Sequence, residues 1–139
     1  MREIYNINPV AKPRMTQRDK WKKRPCVLGY YAFKDDCRLH KVRVPACNSH
    51  IIFVIPMPKS WPKKKKAKFV NKAHQQKPDK DNLEKSLLDA VYGEDCVVWD
   101  NRVTKIWGDV GRIIICDIYP GNDLFYIEGL KWPKIIQFA

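Results

Sequence analysis

Over residues 50–55 the chain reads His-Ile-Ile-Phe-Val-Ile, a β-branched apolar run closed by Pro56 and Pro58, and this predicts a buried strand. So short a run bounded by prolines is a poor helix. A different period governs residues 81–92, where Leu83, Leu87, Leu88 and Val91 recur at the spacing that turns one side of a helix inward. Asp81, Lys85 and Asp89 then fall on another face, and Gly93 supplies the stop. Residues 103–107 and 112–119 read as strands joined at Gly108-Asp-Val-Gly111, which predicts an antiparallel hairpin.

The remaining elements are fainter. Residues 3–9 alternate loosely as a strand, and residues 11–25 form a loop dense in Lys, Arg and Pro. Leu28, Tyr31, Ala32, Asp35 and Leu39 follow a helical period across residues 27–42, and Pro45 ends that element. Ser60 and Pro62 suit the start of a further helix, as N-cap and first-turn residue. Beyond Pro120 periodicity fades, although residues 124–127 suit a short strand. No repeat or linker divides the chain, which is expected to form one domain over residues 1–139, with a core of about 1–119 and a tail from 120.

Charge changes the picture more than any of these elements. With 27 Lys and Arg against 15 Asp and Glu, the net charge of +12 favours nucleic acid as partner, with an anionic membrane the lesser option. No stretch approaches the roughly 20 apolar residues of a membrane span, and the polar start lacks the apolar segment of a secretory signal, so a cytoplasmic protein is expected. The five cysteines are odd in number and form no C-x2-C pair, which suits reduced thiols. Cys37 with His40 and Cys47 with His50 repeat a C-x2-H spacing. Without a paired-cysteine knuckle they read more simply as helix and turn residues than as zinc ligands.

Within this basic field lies Lys-Pro-Asp-Lys-Asp-Asn-Leu-Glu-Lys, residues 77–85, with Asp79 and Asp81 at the mouth of a helix. Two carboxylates at that spacing offer part of a site for a hard divalent cation such as Mg2+, which keeps several waters. A third ligand must come from elsewhere: Asp100, just before a predicted strand, is the leading candidate, with Asp95 and Glu94 in reserve. Lys85, one turn beyond Asp81, would stabilise charge building on a phosphoryl group. The bland alternative makes Asp81-Asn-Leu-Glu84 a capping box, Asp79 a partner of the helix dipole, and Lys85 with Asp89 a surface pair.

Lys63, Lys64, Lys65 and Lys66 form the densest positive run. Alone it is an ordinary solvated face; ahead of the acidic segment it is a grip for a nucleic-acid backbone. His74 is a lone loop histidine, either exposed or in reach of phosphate as a contact or proton shuttle. Trp21 and Trp61 sit among lysines and suit stacking on exposed bases, whereas Trp99 and Trp107 suit the core.

Taken together, residues 77–85, Leu88-Asp-Ala90 and Trp99-Asp-Asn-Arg-Val103 resemble the signature of the RusA-type Holliday junction resolvases, and Pro13-Arg14 and Pro58-Lys-Ser-Trp-Pro-Lys-Lys-Lys resemble its phage and prophage members. The similarity runs from about Lys12 to Tyr119. It implies a homodimeric α/β nuclease, a small mixed sheet flanked by helices, that binds Mg2+, with Mn2+ as a substitute, and nicks opposed strands of four-way DNA junctions. The metal-binding aspartates would be Asp79, Asp81 and Asp100 and the assisting lysine Lys85, with Arg14, Lys63, Lys64, Lys65, Lys66 and Lys77 on DNA. Many members carry paired aspartates where this chain has Trp99-Asp100; a shift of register there would pass the role to Asp95. A non-catalytic DNA-binding module and an RNA-associated protein are the competing readings.

Overall fold

In the computed structural model, which describes residues 2–22 and 24–118 and the backbone of 124–127 and 130–133, the apolar run is a central strand. This is β2 (Ser49–Pro56), and both its edges are paired. β3 (Asn101–Gly108) lies parallel to it on one side and β4 (Arg112–Asp117) antiparallel on the other; β1 (Arg2–Tyr5) pairs outside β4, giving the order β1-β4-β2-β3. The expected strand at 124–127 is β5 (Leu124–Ile127), which pairs with β6 (Leu130–Pro133) in a separate ribbon. The rest of the expected tail lies outside the described residues. The mixed sheet flanked by helices is the α/β architecture anticipated.

The hairpin expectation is corrected. β3 and β4 do not pair, because β2 lies between them. Pro56 stands opposite Gly108 and Val54 opposite Arg112, so the connection at 109–111 straddles the end of β2. Gly111 is needed there by close approach: a Cβ would lie 1.8 Å from Asn8 Oδ1. The turn chemistry is local, but an apolar strand with two open edges demands two partners, and that demand outweighs a tight turn.

Alternation sorts the sheet into two faces. Ile51 and Phe53 of β2 and Ile113 and Ile115 of β4 are buried on one face, under α1 (Pro25–Leu39) and α3 (Lys80–Tyr92). The other face carries Ile52 and Ile114, both half-buried, and the exposed Ile4. From α3 the predicted stripe enters the core: Leu83, Leu87 and Leu88 are buried and Val91 packs against them. Gly93 closes the helix at φ 77°, a left-handed conformation suited to glycine.

α1 is a helix as expected, with Pro25 at its first position, but its inward face differs. Val27, Tyr30, Phe33 and Cys37 are buried, while Leu28 and Leu39 are 53% and 77% exposed. Both stripes are apolar at helical spacing, and packing on the sheet and α3 selects one of them. Tyr30 also donates to Asp89 on α3 at 3.4 Å, and burial, with help from that carboxylate, pushes its phenol up to about 12.

The contrast between faces sets a test. Leu87→Ala, at a fully buried site, should cost about 2–5 kcal/mol in denaturant melts, against at most about 0.5 kcal/mol for Leu39→Ala.

Candidate active site

Between β2 and β3 the chain makes a long crossover that starts with α2 (Lys63–Phe69). Its N-cap is Pro62, not Ser60. Lys63, Lys64 and Lys65 are exposed and Lys66 is half-buried. Trp61 does not stand open for bases: its ring lies 4.8 Å from Trp107 and 5.4 Å from Phe69, with the Lys65 ammonium 4.2 Å over it. Trp107 is buried, as expected, and packs 4.2 Å from the His74 ring. This aromatic stack fastens the lysine helix to the end of β3.

The chain then runs back along the outer edge of β3. Asn71 donates to the Trp107 carbonyl at 2.9 Å, Trp107 to Lys72 at 2.9 Å, and His74 to Lys105 at 3.1 Å. His74 is therefore 4% exposed and not a surface loop residue. Burial, followed by the charge of Lys105, lowers its pKa. The Lys105 ammonium donates to the carbonyls of Gln76 at 2.6 Å and Pro78 at 2.8 Å, clamping the segment that leads into Asp79. Burial lowers the pKa of Lys105, and the Asp79 carboxylate opposes that shift. Sequence reasoning missed this residue. The signal was its parity: Asn101, Val103, Lys105 and Trp107 alternate onto the inward face, where a charge is rare unless it has partners.

Asp79 is the N-cap of α3, yet its side chain makes no capping hydrogen bond. Asp81 follows in the first turn, and both aspartates are exposed, as are Lys85 and Lys77. The capping box read at Asp81–Glu84 does not form, because the helix starts two residues earlier. Glu84 accepts instead from Asn101 Nδ2 at 2.8 Å and so ties α3 to the root of β3. Nor do Lys85 and Asp89 pair: Asp89 receives Lys12 Nζ at 2.5 Å.

The Glu84–Asn101 bond ties the root of β3 to α3, and Asp100 is the residue just before Asn101. Asp100 accepts the Asn48 N–H at 3.1 Å. Asp95 and Glu94, the reserve candidates, are exposed beyond Gly93, some 20 Å of helix from Asp79 at 1.5 Å per residue. Glu94 accepts the Cys96 thiol at 3.3 Å. Trp99 is 48% exposed and not in the core, a correction that follows from its place in the open connection before β3. Arg14 is exposed, and its carbonyl accepts Arg24 Nη2 at 2.6 Å.

Asp79, Asp81 and Asp100 offer only carboxylate oxygens, a donor set that suits a hard divalent cation. Among the described residues, however, no three Asp, Glu, His or Cys side chains are gathered closely enough to enclose an ion. Asp79 and Asp81 are exposed at the start of α3, whereas Asp100 is half-buried ahead of β3 and bonded to the Asn48 N–H. The C-x2-H pairs diverge: Cys37 is in the core, where burial pushes its thiol up to about 12, His40 is exposed, and His50 bonds Thr104 at 2.8 Å.

His74 yields a pH prediction. Its folded-state pKa lies below the unfolded value of about 6.5, so under that pH the unfolded chain binds a proton that the folded chain refuses, and stability falls with falling pH. Melts of His74→Gln across that range should show a shallower loss; part remains, because burial lowers His50 in the same direction.

A family model described as endodeoxyribonuclease RusA matches residues 7–116 of this chain. No curated protein and no solved structure matches it. Among the described residues no helix is long and apolar enough to cross a membrane.

Proposed function

Since the chain belongs to the RusA endodeoxyribonuclease family, whose activity is cleavage of DNA at Holliday junctions, we propose that it is a Mg2+-dependent resolvase in DNA recombination and repair, active in the cytoplasm as a homodimer. The observation that carries the reading is the pair Asp79 and Asp81: exposed carboxylates at the start of α3, free of capping bonds, in a chain of net charge +12. A non-catalytic module would need these acids only as helix caps, and Asp79 makes no such bond.

In this reading Asp79, Asp81 and Asp100 hold the cation. When bound, Mg2+ neutralises charge on the scissile phosphate and lowers the pKa of a coordinated water. The N-terminus of α3 adds its own positive end to the field around the phosphate. Lys85 places an ammonium one turn along, where negative charge accumulates as the phosphorus is attacked. Lys105 is a positioning residue that fixes the approach to Asp79 through two carbonyls. Lys63, Lys64, Lys65 and Lys66, with Arg14 and Lys77, bind DNA backbone, and Mn2+ substitutes for Mg2+. Two sites in a dimer give the paired cuts that resolve a junction.

The test uses a synthetic four-way junction, linear duplex and structured RNA, each with and without Mg2+. Wild-type protein should cut the junction only with metal, and Asp81→Asn should bind it without cutting. Cleavage retained by Asp81→Asn, or none by wild type with any divalent metal, overturns the assignment. Junction affinity should fall with salt at a log–log slope of roughly −0.9 per phosphate contacted. Lys105→Met should lose roughly tenfold or more in kcat through misplacement of Asp79, raise the Mg2+ concentration for half-maximal rate, and leave junction affinity intact.

A further inference from the structure

Residues 12–24, between β1 and α1, hold seven Lys or Arg and one acid, Asp19. That acid is spent inside the loop. Asp19 is 7% exposed and accepts the Thr16 N–H at 2.8 Å, the Thr16 hydroxyl at 3.1 Å, and Arg24 Nε and Nη2 at 3.1 Å each. The Arg24 guanidinium, ahead of the Thr16 amide, holds its carboxyl well below the usual range. Arg24 Nη2 also ties back to the Arg14 carbonyl at 2.6 Å, so Arg14, Thr16, Asp19 and Arg24 are cross-braced.

At the end of the 3₁₀ turn Gln17–Lys20 stands Trp21, 91% exposed, the highest value for any large apolar side chain among the described residues. Its backbone is held by a bond to the Arg18 carbonyl at 3.0 Å. A cleft of ≈ 470 Å³ in the same loop is lined by Thr16, Arg18, Lys22, Arg24 and Pro25. The loop is rooted on α3: the Lys12 N–H donates to the Asn82 carbonyl at 3.2 Å, within the first turns that carry Asp79 and Asp81.

An indole left in water on a braced scaffold forgoes the burial its area offers. The cations around it decide what covers it. The same loop of a second copy would bring its own seven cations against these, so the patch does not suit pairing with itself, whatever other face a dimer uses. A polyanion is drawn to it, and the polyanion with apolar faces is nucleic acid. Stacked duplex hides those faces between neighbouring pairs; a junction or a single strand exposes them.

We propose that Trp21 stacks on an unstacked nucleobase of branched or single-stranded DNA, with Arg18 and Lys22 in the adjoining cleft taking its phosphate. The loop thereby distinguishes broken stacking from continuous duplex. This rests on the DNA reading of the protein, but needs no cleavage.

The experiment measures binding of full-length wild type, Trp21→Ala and Trp21→Phe, in EDTA, to a four-way junction, a single-stranded oligonucleotide and a linear duplex. Trp21→Ala should weaken the first two by roughly tenfold, leave the duplex unchanged, and abolish part of the tryptophan quenching that accompanies binding; Trp21→Phe should restore most of the affinity. Unchanged affinity for all three ligands, or equal loss on all three, overturns the proposal. Should wild type fail to cut junctions with any metal while Trp21→Ala still loses single-strand binding selectively, the nuclease reading falls and this one stands.

Discussion

Everything at the candidate site follows from the parallel pairing of β2 with β3. Their register holds from Ser49 opposite Asn101 to Pro56 opposite Gly108, so the chain must leave at one end of the sheet and re-enter at the other. Residues 57–100 make that journey. They carry the lysine helix, the segment that runs back along β3, and the helix with Asp79, Asp81 and Lys85, and they end on Asp100. An antiparallel partner would have needed only a short turn, with no room for any of this.

Within the crossover, carboxylates divide by whether a neighbour has claimed them. Asp89 is held by Lys12 and Tyr30, and Glu84 by Asn101. Asp79 and Asp81 remain exposed at the start of α3, where the helix dipole favours negative charge and the Lys105 ammonium lies close to Asp79. Those two influences offset the repulsion of placing like charges two residues apart. The acids are thus tolerated by the fold while staying open to a ligand.

Sequence made β2 and α3 legible because each carries one dominant period and a firm stop, prolines for β2 and Gly93 for α3. α1 was legible as a helix but not in its facing, since Val27-Tyr30-Phe33-Cys37 and Leu28-Tyr31-Leu39 both suit burial and only the sheet beneath decides. The strands β3 and β4 were found, but their pairing was not: it depends on β2, far away in sequence. At the site, the acidic segment was plain from its spacing, whereas its supports were hidden. Lys105 acts through backbone carbonyls that no side-chain pattern announces, and His74 is buried by an aromatic stack assembled from three separate segments.

The central position of β2 also bears on how the chain is made. Neither neighbour exists when β2 leaves the ribosome: β3 begins at Asn101 and β4 at Arg112, so the apolar run at 51–55 emerges with both edges bare. Such a segment is a template for intermolecular β-association. Pro56 and Pro58 follow it at once, and four lysines follow soon after. Prolines and like charges flanking an apolar strand act as gatekeepers against aggregation. The lysine run therefore has a use in the nascent chain that is independent of any ligand, and neutralising it would lower solubility during synthesis.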